Sequence, residues 1–281
     1  MKKHIEKLVL TLFALLVFTA CSDEQGTTVG SDSKPKVTLY KYDAAPPADP
    51  DNDITLRVAA NSKTESAYYL VEEKSVKEAR GMSDAEYAEY VVANGTQITG
   101  INGDSFVDVP LSGLFGEKVI SVVAVGGGAK NLSSLDFNGL SWSEVVSGTF
   151  VFGSYSRRAM TGCPESKDVT LLVCTTNPNL YKIKDLYGAG YSLKFTKNGA
   201  TDVESGETVE FVRVSTTYTP YVYNNSQVYL RDMGYGYNND AYATHLSYGC
   251  YIYPDNYVYF TFRYANSTGN ITWDNDYFEP N

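Results

Sequence analysis

Val258-Tyr259-Phe260-Thr261-Phe262-Arg263-Tyr264 decides the fold of this chain. Six of its seven residues are β-branched or aromatic, and it alternates apolar and polar positions at a period of two. That is the pattern of a half-buried strand. Upstream, Pro254-Asp255-Asn256 is a turn, and Cys250 to Tyr253 reads as the preceding strand. The same pattern extends back to Gly148-Thr149-Phe150-Val151-Phe152. Between the two lie Val169–Cys174, Leu180–Ile183, Tyr191–Thr196, Thr208–Val214 and Gln227–Leu230 as further strands. Turn signals at Lys197-Asn198-Gly199 and Asn224-Asn225 separate them. Regular short strands with polar turns predict a β-sandwich or jelly-roll-like domain over residues 147–281.

The preceding part, residues 53–146, also reads as strands, with one helix. Ile54–Ala60, Ala67–Val71, Phe106–Val109 and Lys118–Val125 are the strands. Ser83 opens the helix as N-cap, Glu86 completes a capping box, and Gly95 ends it. This order resembles a fibronectin type III or related immunoglobulin-like domain with a short inserted helix. The expected fold is therefore all-β, with two tandem β-sandwich domains.

Residues 21–52 read as a flexible tether, rich in Gly, Ser, Thr, Asp and Pro. Val37-Thr38-Leu39-Tyr40 is a candidate strand inside it. Before the tether, residues 1–20 form a secretory signal: Lys2 and Lys3, then an apolar run from Leu8 to Ala20. Cys21 directly after this run resembles the lipobox of bacterial lipoproteins, which implies cleavage before Cys21 and its lipidation. Asp23-Glu24 resembles the export signal of Bacteroidetes-type surface lipoproteins. That resemblance implies an outer-membrane, lipid-anchored protein facing the exterior, with outer-membrane proteins as partners. Gly148–Phe152, Leu180–Ile183 and the turn Tyr187-Gly188-Ala189-Gly190 resemble the C-terminal β domains of the same class of lipoproteins. Many of those accompany glycan-uptake systems.

Composition limits the function. The chain carries a net charge of −10. It lacks the clustered Lys and Arg that phosphate binding needs, so nucleic acid is not an expected partner. It is also a poor match for acidic polysaccharides, unless a local patch overrides the average. Beyond the signal one histidine remains, His245, and no Gly-x-Ser-x-Gly elbow, His-Glu-x-x-His helix or phosphate-binding loop occurs. No catalytic residue is assigned. Cys163, Cys174 and Cys250 form an odd set, in which Cys163 and Cys174, or either with Cys250, are disulfide candidates.

Of 24 tyrosines, most fall in the C-terminal third. Asp232-Met233-Gly234-Tyr235-Gly236-Tyr237-Asn238-Asn239-Asp240-Ala241-Tyr242 joins rings, glycines and short polar side chains in one expected loop. An aromatic face covers the C–H face of a pyranose while Asn and Asp bond its hydroxyls. The expected ligand is a glycan, stacked on Tyr235, Tyr237 or Trp273, with Tyr277 extending the platform and hydrogen bonds from Asp232, Asn238, Asn239 and Asp240. No metal site is assigned. Asp49, Asp51 and Asp53, and Asp274-Asn275-Asp276, are weak calcium candidates that read more simply as solvated linker and as turn. An adhesin or fimbria-associated structural role is the second reading. A glycoside hydrolase using a pair among Asp232, Asp240, Asp255, Asp274 and Asp276 is the third.

Overall fold

The computed structural model describes residues 33–281, so the signal and Cys21 lie outside the described residues. The N-terminal half holds two open antiparallel sheets. Strands β1 (Val37–Asp43), β2 (Ile54–Ala60) and β5 (Phe106–Leu111) form the first, in the order β1-β2-β5. Strands β3 (Ser66–Glu73), β4 (Thr96–Gln97), β6 (Gly116–Gly126) and β7 (Ala129–Gly139) form the second, in the order β4-β3-β6-β7. They share one core, in which Ile54, Leu56 and Val58 of β2 meet Ala67, Ile120, Val122 and Ala124. Period-two alternation places these residues on the inner faces. After a short helix α1 (Lys74–Ala79), helix α2 (Asp84–Asn94) starts at the Ser83–Glu86 capping box and ends at Gly95, as the spacing predicts. Its buried face, Tyr87, Ala88 and Val91, packs on Val123 of β6.

The C-terminal half overturns the expectation of two tandem sandwiches. Its strands are β8 (Trp142–Val151), β9 (Ser166–Cys174), β10 (Asn177–Gly188), β11 (Tyr191–Glu204), β12 (Glu207–Arg213), β15 (Cys250–Ile252), β16 (Val258–Asn266) and β17 (Gly269–Pro280). They pair in the order β16-β15-β12-β11-β10-β9-β8-β17, and β17 pairs back onto β16. The result is a closed eight-stranded antiparallel barrel. Closure removes the sheet edges that a sandwich leaves open. A hairpin of β13 (Thr217–Tyr223) and β14 (Ser226–Asp232) adds to the far end of β16. Its turn uses Asn224 and Asn225, both at positive φ, the backbone that a tight hairpin requires.

Rings fill the barrel: Phe150, Phe152, Phe195, Phe260, Phe262, Tyr264 and Phe278 are all buried. Phe150 and Phe195 each lie against Phe260, with ring centroids 5.8 and 5.3 Å apart. A short helix, α3 (Ser154–Ala159), closes one end. Its first amides are capped by Asp274, which accepts from Tyr155 N at 2.6 Å and Ser156 N at 2.9 Å. Asp276 accepts from Gly153 N and Ser156 Oγ, each at 2.7 Å, and from the Tyr264 hydroxyl. These two carboxylates are therefore helix caps on a strand, not turn residues. The expected turn at Lys197-Asn198-Gly199 is instead an irregularity inside the long strand β11. Cys163, Cys174 and Cys250 are all free thiols, so none of the three candidate disulfide pairings forms.

The expected tether also differs. Residues 44–53 are a loop between β1 and β2 that docks on the barrel. Lys182 of β10 is 1% exposed and contacts Asp49 at 2.6 Å and Asp51 at 2.7 Å, while Lys194 of β11 contacts Asp51 at 2.6 Å. Gly190, in the turn between β10 and β11, lies so close to Pro46 that a Cβ would sit 2.9 Å from its Cα. The Asp49–Asp53 run is thus an ion-paired joint and not a solvated linker.

Candidate ligand-binding face

Strand β14 delivers Asp232 to the start of helix α4 (Met233–Tyr237). Asp232 is fully buried and caps the helix, accepting from Tyr235 N at 2.8 Å. Its other oxygen accepts from Val214 N at 2.8 Å and Arg213 Nε at 2.9 Å. This carboxylate builds the face but is out of a ligand's reach, which corrects its expected role as a sugar contact.

Arg213 then turns outward over the ring of Tyr235, 3.9 Å from its centroid. Arg263 of β16 does the same over Tyr237, at 4.7 Å, and donates to the Gly236 carbonyl. Gly234 and Gly236 make this close packing feasible. A Cβ on Gly234 would sit 3.0 Å from Arg213 Nη2, and one on Gly236 would sit 2.9 Å from Arg263 Cδ. Each tyrosine is fixed by a guanidinium and still about half exposed, 48% for Tyr235 and 45% for Tyr237. Trp273 of β17 lies directly across from Arg263 in register and is 50% exposed. Paired residues on neighbouring strands share a sheet face. Tyr237, Arg263 and Trp273 therefore form one continuous surface.

Asn238 ends α4 in the left-handed conformation, with φ at 52°. Asn239 caps the following 3-10 turn, Asp240–Thr244, by accepting from Ala241 N. Asp240 is exposed and accepts from Arg213 Nη1 at 3.0 Å. Tyr277 lies elsewhere. It is four residues from Trp273, about 13 Å along the strand, and stacks on Tyr257 with centroids 5.8 Å apart. It belongs to a separate tyrosine ladder with Tyr251, Tyr253 and Tyr259.

The sequence reading missed Arg213, Arg263 and the continuation of the face from Tyr237 through Tyr242 to Tyr248 and His245. Arginine positions carried the only available signal, because a guanidinium rests on an aromatic face in this way. Nothing in one dimension shows which ring each arginine meets. His245 Nδ1 accepts from Ser247 N, a local turn contact. Burial pushes the Cys163 thiol up to about 12, and burial likewise pushes the Cys250 thiol well above its ordinary range. Both stay protonated thiols at neutral pH. Of the carboxylates considered for hydrolysis, Asp232, Asp274 and Asp276 hold backbone amides, and Asp255 holds Tyr257 N.

Beside Tyr235 a cleft of about 430 Å³ opens, lined by Lys194, Thr196, Lys197, Arg213 and Ser215 among others. Burial lowers the affinity of Lys197 for its proton, but Glu210 at 3.1 Å and the nearby Tyr181 more than reverse this. Arg213 is likewise held charged against burial by Asp232 and Asp240. A second cleft, about 420 Å³, lies at the joint beside Trp142 and Lys182. A smaller one, about 220 Å³, lies beside α1 and carries no exposed ring among Lys74, Lys77, Glu78, Met82 and Tyr87. Of these three, the cleft at Tyr235 is the one that adjoins the exposed aromatic face. Among the described residues, no group of acidic, histidine or cysteine side chains has the arrangement of a metal site. No protein-family model, curated protein or solved structure matches this chain.

Proposed function

We propose that this chain is a lipid-anchored cell-surface protein that binds glycan, without catalysis, on the Tyr235–Tyr237–Trp273 face of its barrel. The observation that supports the reading is three half-exposed rings, two of them fixed under guanidiniums, of which Tyr235 lines a cleft of about 430 Å³. A ring already ordered loses little side-chain entropy when a pyranose stacks on it. The cleft falls within the usual size range of small-molecule sites.

Anchoring through Cys21, and not through the barrel, agrees with the distribution of side chains. The apolar rings point inward, and charged residues that alternate with them, such as Lys194, Arg213 and Arg263, lie outside. A barrel that spans lipid has the opposite arrangement, with an apolar exterior. Among the described residues, no helix is long and apolar enough to cross a membrane.

The test is a broad glycan array probed with residues 27–281. The expected result is a specific hit that is lost when Tyr235, Tyr237 and Trp273 are all replaced by alanine. Undiminished retention by that folded triple variant would remove the site from consideration.

A further inference from the structure

The cleft beside Tyr235 departs from the average charge of the chain. The protein carries a net −10, yet Lys194, Lys197 and Arg213 line this cleft and no Asp or Glu does. The acids that balance the cations lie behind or outside its wall. Asp51 holds Lys194 at 2.6 Å, Glu210 holds Lys197 at 3.1 Å, and Asp232 and Asp240 hold Arg213. These contacts leave donors over. An ammonium has three N–H groups and a guanidinium five. Arg213 engages Nε, one N–H of Nη1 and, at 3.5 Å, one of Nη2.

Resting on the glycan-binding reading above, we infer that the ligand carries an anionic group, a uronate carboxylate or a sulfate ester. That group enters the cleft between Lys197 and Arg213 while the sugar ring rests against Tyr235. Charge-assisted bonds from planar guanidinium and ammonium donors match either oxyanion. Thr196 and Ser215 supply hydroxyls at the same wall for the remaining sugar oxygens.

Asp240 then acts as a competitor, not a ligand. Its side chain is 88% exposed, and its contact with Arg213 Nη1 is a surface ion pair of the kind that contributes little. An incoming oxyanion takes its place. This gives the inference a signature that a merely structural role would not produce: removing the Asp240 charge strengthens binding.

Titration calorimetry of the folded chain with trigalacturonate, a sulfated heparin disaccharide and neutral xylotriose tests the inference. The expected result is binding of at least one anionic probe, weakened by added salt, and the probe that binds identifies the group. Lys197→Met is expected to weaken that binding about tenfold, the loss of one charge-assisted bond. Asp240→Asn is expected to strengthen it about threefold. Arg213 is left intact because Asp232 depends on it. Xylotriose binding without anionic binding would overturn this inference and leave glycan recognition standing. Binding of no saccharide here or on the array would overturn both. Anionic binding that neither substitution alters would place the site elsewhere and overturn the inference.

Discussion

Asp276 is an acid folded into the interior of a barrel. Burial pushes its carboxyl up to about 6 from an ordinary 3.8, against three hydrogen bonds, from Tyr264, Gly153 and Ser156, that pull it down. Relative to the unfolded chain, the native state therefore favours the protonated form. Below pH 4 both folded and unfolded chains hold the proton, and the stability linked to it is complete. Between pH 4 and 6 only the folded chain holds it, so stability falls as pH rises through that window. At about 1.4 kcal/mol per pH unit the loss amounts to about 3 kcal/mol. Asp276→Asn keeps the shape and removes the titration. Urea unfolding at a series of pH values is expected to show that decline in the parent chain and to lose it in the variant. Parallel profiles would contradict this account. None of it was legible in Asp274-Asn275-Asp276, which reads as a turn because short polar side chains favour turns through local hydrogen bonds. Their actual partners, the first amides of α3, lie more than 110 residues away in sequence.

At the scale of the element, β17 makes the barrel. It pairs with β16 along most of its length and with β8 through Tyr277–Pro280 against Gly148–Val151. The seam is narrow at Gly148, where a Cβ would overlap the Glu279 carbonyl oxygen and the ring of Phe278. Gly148→Ala is expected to cost about 2 kcal/mol, as overpacking does. Faster hydrogen exchange should be confined to the β8–β17 pairing. Unchanged protection across that seam would show that closure does not depend on the glycine. The strands β9, β10, β12, β14, β15 and β16 were legible because their apolar residues alternate. The same holds for α2, whose capping box is a local signal. Strand β17 was not legible, since its inward positions include Asp274 and Asp276, and a strand that faces a helix end carries polar residues there. Missing one strand turned a closed barrel into an expected open sandwich. At the candidate ligand face, the sequence pointed to Tyr235, Tyr237 and Trp273, which the structure leaves about half exposed. It misplaced Asp232, because a helix cap and a ligand contact call for the same residue type.

At the scale of the whole molecule, two halves meet through charges, not through a shared apolar core. The core clusters of the open sheets and of the barrel have no residue in common. Between them, Lys182 is buried against Asp49 and Asp51, with Lys194 completing the network at the rim. Burial pushes the Asp51 carboxyl up, but Lys182 and Lys194 together hold it below its ordinary range. Its sign is opposite to that of Asp276. The stability it contributes is present above the unfolded value near 4 and is lost as pH falls through the depressed one. Acid therefore loosens the joint while it relieves the barrel interior. Removing Lys182 leaves the buried Asp51 to Lys194 alone and takes from Asp49 its ion-pair partner, at a cost of about 3 kcal/mol. Lys182→Met should pay that penalty at the joint alone, since its side chain points away from the rings inside the barrel. Calorimetry is expected to split one unfolding transition into two, with the barrel melting near its original temperature. Proteolysis within residues 44–53 should accelerate as the loop lifts. Adding Asp49→Asn and Asp51→Asn to Lys182→Met should recover much of the loss, because no buried charge then remains unpaired. A single unshifted transition in Lys182→Met would mean that the halves are held by contacts other than this network.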